Sequence, residues 1–168
     1  MKQGPSRAFV FGDNVDTDQL APGIYIKRPI EELSRHCLEG LAPEFASTVA
    51  SGDTLVAGKN FGMGSSREQA AEALRHLGIS VIVAKSFGGI FYRNAINFGL
   101  IPLICDEVAN IEEGDNLSID AITGAIVNQT KDEIYAAEPL PAHLLQIITA
   151  GGLIPYLEKR SGTETDND

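Results

Sequence analysis

A short apolar-type run, Thr54-Leu55-Val56-Ala57, leads into a glycine-spaced turn, a helical stretch and then a second apolar run, Ile79-Ser80-Val81-Ile82-Val83-Ala84. This order is the tightest constraint on the fold. Two strands joined through a helix are expected to pair in parallel, because a parallel pair needs a long crossover whereas antiparallel neighbours need only a tight turn. The helix is read from Ser66 to about His76, with Gly78 as its C-terminal cap. A ligand is expected at the carboxyl end of the first strand, where the chain leaves the sheet.

The turn itself reads Gly58-Lys59-Asn60-Phe61-Gly62-Met63-Gly64-Ser65-Ser66-Arg67-Glu68-Gln69-Ala70. Its glycines allow close approach of a ligand to the backbone, and the first N–H groups of the following helix point outward over the loop. Arg67 adds a fork of donors matched to a carboxylate. A structural reading competes: Ser65 with Glu68, and Ser66 with Gln69, have capping-box spacing, so one serine is expected to cap the helix. Capping does not explain a doubled serine, nor a cation in the first turn, where it opposes the helix dipole. The combination reads as an anion-binding catalytic loop.

Elsewhere, Ala8-Phe9-Val10-Phe11 is read as a strand running into Gly12-Asp13-Asn14-Val15-Asp16-Thr17-Asp18. That segment is a polar turn or, as the alternative, a calcium loop. An EF-hand is disfavoured because the glycine precedes the acids and no glutamate closes the loop. Asp16 and Asp18 are expected to hold the turn by local hydrogen bonds. Pro29 through Ala50 reads as helical, in pieces at Ile30–Leu38 and Pro43–Ala46; Ser86–Phe98 reads as a helix and Gly99–Cys105 as a strand. Gly114–Asp120 and Ala125–Thr130 form an expected antiparallel hairpin about Thr123-Gly124, and Pro141–Gly151 a closing helix.

With 168 residues, 43% hydrophobic and 21% charged, the chain suits one domain with a real core. The formal charge of −10 argues against nucleic acid or an anionic membrane as partner. No run spans a bilayer and Met1–Arg7 lacks the apolar core of a signal peptide, so a cytoplasmic location is expected. Cys37 and Cys105 read as free buried thiols, and His36, His76 and His143 form no metal-ligand pattern. Residues 161–168, acidic and polar, read as a solvated tail behind a domain spanning 1–160.

Several segments together resemble the small subunits of 3-isopropylmalate dehydratases (isopropylmalate isomerases), the equivalent of the swivel domain of the aconitase family. The carriers are Gly12-Asp13-Asn14-Val15-Asp16-Thr17-Asp18-Gln19-Leu20-Ala21-Pro22, Ala57 through Glu68, Ala84-Lys85-Ser86-Phe87, Phe91-Tyr92-Arg93-Asn94 and Asn97-Phe98-Gly99-Leu100. Their order and spacing are specific, and the likeness runs from about Phe9 to Leu157. It implies an α/β fold, a single three-layer β/β/α swivelling domain. It also implies a hydro-lyase that dehydrates a hydroxy di- or tricarboxylate and rehydrates it on the adjacent carbon, as in leucine biosynthesis.

The resemblance further implies a large partner subunit carrying a 4Fe–4S iron–sulfur cluster; two badly spaced cysteines cannot hold one here. Ser65 corresponds to the base that removes the proton next to a carboxylate. Ser66 and Arg67 correspond to substrate-binding residues. The segment Gly23-Ile24-Tyr25-Ile26-Lys27-Arg28 falls where the family carries its specificity loop: Ile24 and Ile26 would serve an alkyl group, Lys27 or Arg28 a distal carboxylate. Lys59, Lys85 and Arg93 are weaker candidates as supporting cations. Two departures stand out, Gln69 where the family usually has His and Met63 where it often has Cys. They leave 2-isopropylmalate as the leading substrate beside homoaconitase-type and 2,3-dimethylmalate alternatives. A catalytically silent anion-binding module is the rival of another class. A nucleotide-phosphate domain is disfavoured, since the loop has neither Gly-x-Gly-x-x-Gly nor Gly-Lys-Ser/Thr.

Overall fold

In the computed structural model, which describes residues 1–164, the crossover takes the expected form. Strand β1 (Lys2–Val10) is followed by three short helices, α1 (Thr17–Leu20), α2 (Ile30–Leu33) and α3 (Phe45–Thr48). Strand β2 (Thr54–Ala57), helix α4 (Gln69–His76) and strand β3 (Val81–Ala84) then form the parallel unit, Thr54 opposite Val81 and Ala57 opposite Ala84. Helix α5 (Gly89–Asn97) and β4 (Ile101–Ile104) repeat it, and β5 (Asn116–Asp120), β6 (Ala125–Asn128) and β7 (Glu133–Ala136) make an antiparallel meander. Helices α6 (Ala142–Thr149) and α7 (Leu153–Glu164) close the chain.

The strands lie in the order β4-β3-β2-β1-β5-β6-β7. The sheet curls until its two ends nearly meet: Cys105, just after β4, bridges Ala137, just after β7, and the Glu138 N–H donates to the Ile104 carbonyl at 2.8 Å. Pro102 sits in terminal strand β4, where a missing ladder donor is tolerated.

Alternation along the parallel strands explains the three layers. Leu55, Ala57, Ile82 and Ala84 face the helices and pack with Leu74, Phe61 and Phe91; Val56, Val81 and Val83 face the antiparallel half and pack with Leu117, Ile119, Ile126 and Tyr135. Strands covered on both faces read as unbroken apolar runs, as these do. The β/β/α arrangement implied by the resemblance is the one the molecule has.

Several local expectations differ. β1 begins at Lys2 rather than Ala8, because its polar first half pairs antiparallel with β5 while Ala8–Val10 pair parallel with β2. The helical stretch at 29–50 breaks into short turns, since Leu38 adopts a positive φ of 61° and its N–H donates to the Gln19 carbonyl at 2.8 Å. Strand β7 and helix α7 were not foreseen, and α7 continues through residues 161–164, which had been read as tail. The last four residues of that reading, 165–168, lie outside the described residues.

Candidate functional site

The glycine turn leaves β2 and is strapped on both sides. On one side the Asn14 N–H donates to the Lys59 carbonyl at 2.8 Å and the Thr17 N–H to the Met63 carbonyl at 2.9 Å. On the other, the Phe61 N–H donates to the Ser86 carbonyl and the Gly88 N–H to the Phe61 carbonyl, at 3.0 and 2.8 Å. Two of its glycines are required by close approach. A Cβ on Gly58 would stand 1.9 Å from Asp13 Oδ1, which accepts the Lys59 N–H at 2.7 Å; a Cβ on Gly62 would stand 2.1 Å from Phe91 Cγ. The loop is therefore rigid, and it presents Ser65, Ser66 and Arg67 at its tip.

The expected serine cap does not form. Helix α4 starts at Gln69 with Glu68 at the N-cap position and no side-chain cap bond. Ser65 is instead turned toward α1: its Oγ lies 2.9 Å from Thr17 Oγ1, and its N–H donates to the same oxygen at 3.1 Å. Ser66 is exposed, and neither its hydroxyl nor its N–H has a protein partner among the described residues. Both serines are thus spared for something other than holding the helix.

Arg67 reaches across to the first loop. Its Nη1 contacts Asp18 Oδ1 at 2.5 Å and the Ala21 carbonyl at 3.0 Å, while Asp18 Oδ1 also accepts the Gly23 N–H at 3.0 Å. These bonds leave the Nε and Nη2 edge of the guanidinium unengaged among the described residues, a geometry suited to a bidentate carboxylate. The Arg67 hydrogen bond, and next the Gly23 N–H, hold the Asp18 carboxyl below its ordinary 3.8. The sign follows. With its folded value depressed, the Asp18 contact is complete above the ordinary value and is lost as pH falls through the lower, folded one. A carbon-detected NMR titration of the Asp18 carboxyl should therefore show a midpoint below 3.8, returning upward in Arg67→Ala.

The segment Gly23–Arg28, expected to be the specificity loop, lies against this arginine. The Cβ position of Gly23 is 3.6 Å from Arg67 Nη2, and the next residue, Ile24, is 81% exposed. Ile26, expected beside it, turns inward onto the helical-layer core with Tyr25 and Ile30. Tyr25 stacks on His36 with ring centroids 3.6 Å apart, and His36 Nδ1 lies 2.6 Å from Glu39 Oε2, which braces the loop from behind. Lys27 is exposed with no partner among the described residues; Arg28 is exposed and pairs with Glu32 at 3.7 Å, a surface contact of little energetic weight.

The three acids of the first loop diverge to separate partners. Asp13 takes the Lys59 N–H, Asp16 accepts the Gln19 N–H at 2.8 Å in a capping box on α1, and Asp18 takes Arg67. Asp16 is thus used locally as expected, whereas Asp18, expected to be local only, joins the site. Among the described residues no group of three or more His, Cys, Asp or Glu is placed to hold a metal ion. Cys37 and Cys105 are free, buried and in different cores, and burial pushes the Cys37 thiol far up. Among the described residues no helix is long and apolar enough to cross a membrane. Lys59, Lys85 and Arg93 are all exposed. Thr17 and Asp18 were missed as site residues; the available signal was the motif they share with Asp16, but nothing local ties it to a loop 48 residues away.

The family model for the aconitase C-terminal domain matches residues 43–108, which include the whole Gly58–Arg67 turn. A 3-isopropylmalate dehydratase small subunit 1 of Archaeoglobus fulgidus is 51% identical over 152 residues, 89% of this chain and 94% of that protein. One of Thermotoga maritima is 48% identical over 155 residues, 91% and 93% of the two chains. The chain belongs to the 3-isopropylmalate dehydratase small-subunit family. The crystal structure of a 3-isopropylmalate dehydratase from Methanocaldococcus jannaschii superposes with a TM-score of 0.94 at 43% identity, covering 100% of both chains. The family's near relations include a methanogen homoaconitase small subunit of Methanothermobacter thermautotrophicus, 48% identical over 163 residues, 96% and 95% of the two chains.

Proposed function

We propose that this chain is the small subunit of a cytoplasmic hydro-lyase that isomerises 2-isopropylmalate to 3-isopropylmalate in leucine biosynthesis, active only with its large subunit. The observation that carries this reading is the juxtaposition of Ser65, the open edge of Arg67 and the exposed alkyl side chain of the Ile24 loop. A substrate with a carboxylate beside the reacting carbon and a branched alkyl group on the next position matches that set. Ser65 and Ser66 are exposed in the single chain, whereas a serine base needs a dry site, so the large subunit is required to cover this face. The residues of this chain do not fit an iron–sulfur cluster, and we assign a 4Fe–4S cluster, and with it the Lewis acid that takes the departing hydroxyl, to the large subunit. The free thiols accord with a reducing compartment.

Within that frame the chain's own groups divide the work. Ionised Ser65 takes the proton from the carbon next to the carboxylate; that C–H pair forms the double bond as hydroxide leaves, and the proton, kept on Ser65, is available for return when water adds in the other sense. Arg67 takes the adjacent carboxylate through Nε and Nη2, with Ser66 donating to the same group. Nothing in this division distinguishes isopropylmalate from a tricarboxylate, and the loop must do so. Homoaconitase chemistry is the second reading, favoured by Lys27, whose exposed ammonium stands three residues from Ile24.

The test is turnover by the chain combined with a large subunit, using isopropylmalate, homoaconitate-type and dimethylmalate substrates in competition. Isopropylmalate is expected to be preferred, and the chain alone to be inactive. Ile24→Asp is expected to raise KM for isopropylmalate about tenfold or more, while Lys27→Ala and Arg28→Ala leave it within about twofold. A tricarboxylate preference that Lys27→Ala abolishes would replace the first reading by the second. Turnover by the pure chain would sink both, and three variants with wild-type preference would remove the loop from specificity.

A further inference from the structure

A serine that acts as a base needs a group that holds its oxygen in the ionised form. Thr17 is placed to do so. Its Oγ1 is 2.9 Å from Ser65 Oγ, and the residue is only 2% exposed, so water does not compete for it. The same Oγ1 already accepts the Ser65 N–H at 3.1 Å. A threonine hydroxyl has one proton to give, and among the described residues no other acceptor takes it. Either hydroxyl could donate across this contact, and donation from Thr17 to Ser65 Oγ is the arrangement that gives the buried Thr17 proton a partner.

We infer that Thr17 is a positioning residue that donates a fixed hydrogen bond to the Ser65 oxygen and so sustains its ionised, proton-accepting form. The inference rests on the proposed role of Ser65 as base. Three features set Thr17 in place. Asp16 caps α1 immediately before it, the Thr17 N–H is anchored on the Met63 carbonyl at 2.9 Å, and Thr17 Oγ1 packs 3.2 Å from the Cβ position of Gly64. The donor is thus held by the first loop and the acceptor by the glycine turn, and neither reorganises when charge develops on the oxygen. Donors aimed in advance at a developing oxyanion are the ones that count for rate. The contact also explains why Ser65 does not cap α4, since its N–H and Oγ are both directed to Thr17.

The experiment compares Thr17→Val and Thr17→Ser with wild type and Ser65→Ala, each assembled with the large subunit and assayed on isopropylmalate as a function of pH. Valine keeps the shape and loses the donor; serine keeps the donor. Thr17→Val is expected to lower kcat about a hundredfold with KM within about twofold. The rise of kcat with pH should shift upward, because losing a donor disfavours the ionised form. Thr17→Ser should recover kcat to within a few-fold. A Thr17→Val enzyme with wild-type kcat and pH profile, while Ser65→Ala is inactive, overturns the role of Thr17 and leaves that of Ser65 standing. Equal losses in the valine and serine variants with an unmoved pH profile also overturn it, since packing alone then accounts for the residue. Full turnover in Ser65→Ala, or a wild-type assembly with no dehydratase activity, overturns the underlying reading and this inference with it.

Discussion

Ser65→Ala in the assembled enzyme is expected to lower kcat at least about a hundredfold, the low end for losing a positioned proton-transfer group, while KM stays near wild type and stability falls by only about 1 kcal/mol. The structure separates this from a structural loss. Ser65 is exposed, does not cap α4, and its backbone N–H keeps its bond to Thr17 Oγ1 in the variant. What disappears is one acceptor for the Thr17 hydroxyl, a change of about 1 kcal/mol. A capping serine would cost a similar amount of stability, about 1 kcal/mol, but would leave turnover intact. Steady-state kinetics decide between them, with a urea melt on the same preparation confirming that the variant is folded. A kcat within tenfold of wild type would remove Ser65 as the base.

Gly62→Ala is expected to destabilise the chain by about 2–5 kcal/mol, combining overpacking with a left-handed backbone conformation for a residue with a side chain. Gly62 has φ of 75°, and the added Cβ would fall 2.1 Å from Phe91 Cγ and 2.5 Å from its Cβ. Phe91 cannot swing aside: it is 1% exposed, edge-on to Phe61 at 5.2 Å and stacked with Phe87 at 6.4 Å. Nor can the turn retreat, because the Gly62 N–H donates to the Val15 carbonyl at 2.7 Å and Gly88 packs against the Gly62 carbonyl from the other side. Gly12→Ala is the control. It has no positive φ and no atom within 4 Å of the new Cβ, so its urea midpoint should stay near wild type. A Gly62→Ala midpoint equal to that of Gly12→Ala would show that the turn is slack, and the argument for a preorganised Ser65 would fall with it.

The parallel unit and the identity of the tip residues were legible in the chain because they rest on local signals, whereas the three layers came only with the family resemblance. β2 and β3 are unbroken apolar runs, Gly78 ends the helix between them, and the hairpin of β5 and β6 turns about Thr123-Gly124. The motif segments carried the family, and the comparisons agree with it. Where local signals ran out, so did the reading. The polar start of β1 becomes a strand only because β5 lies beside it, Lys2 opposite Asp120 and Arg7 opposite Asn116. Strand β7 is short, with three of its four residues exposed, and carries little hydrophobic pattern of its own.

The site divides in the same way. Ser65, Ser66 and Arg67 are contiguous, and their chemistry follows from residue type and order, so the sequence alone names the groups at the tip of the loop. It also determined that the loop is followed by a helix, though the capping spacing pointed to the wrong first residue: Ser65 had a better partner than the end of α4. What surrounds those groups is set by the folded arrangement. It placed Thr17 under the Ser65 oxygen, bound Asp18 to Arg67, turned Ile26 inward and left Ile24 outward. Each of these depends on α1 and the following loop lying across the end of β2, a contact between segments 48 residues apart. Periodicity and turn chemistry act over a few neighbours along the chain, whereas hydrogen bonds between distant loops exist only after the sheet has brought its strand ends together.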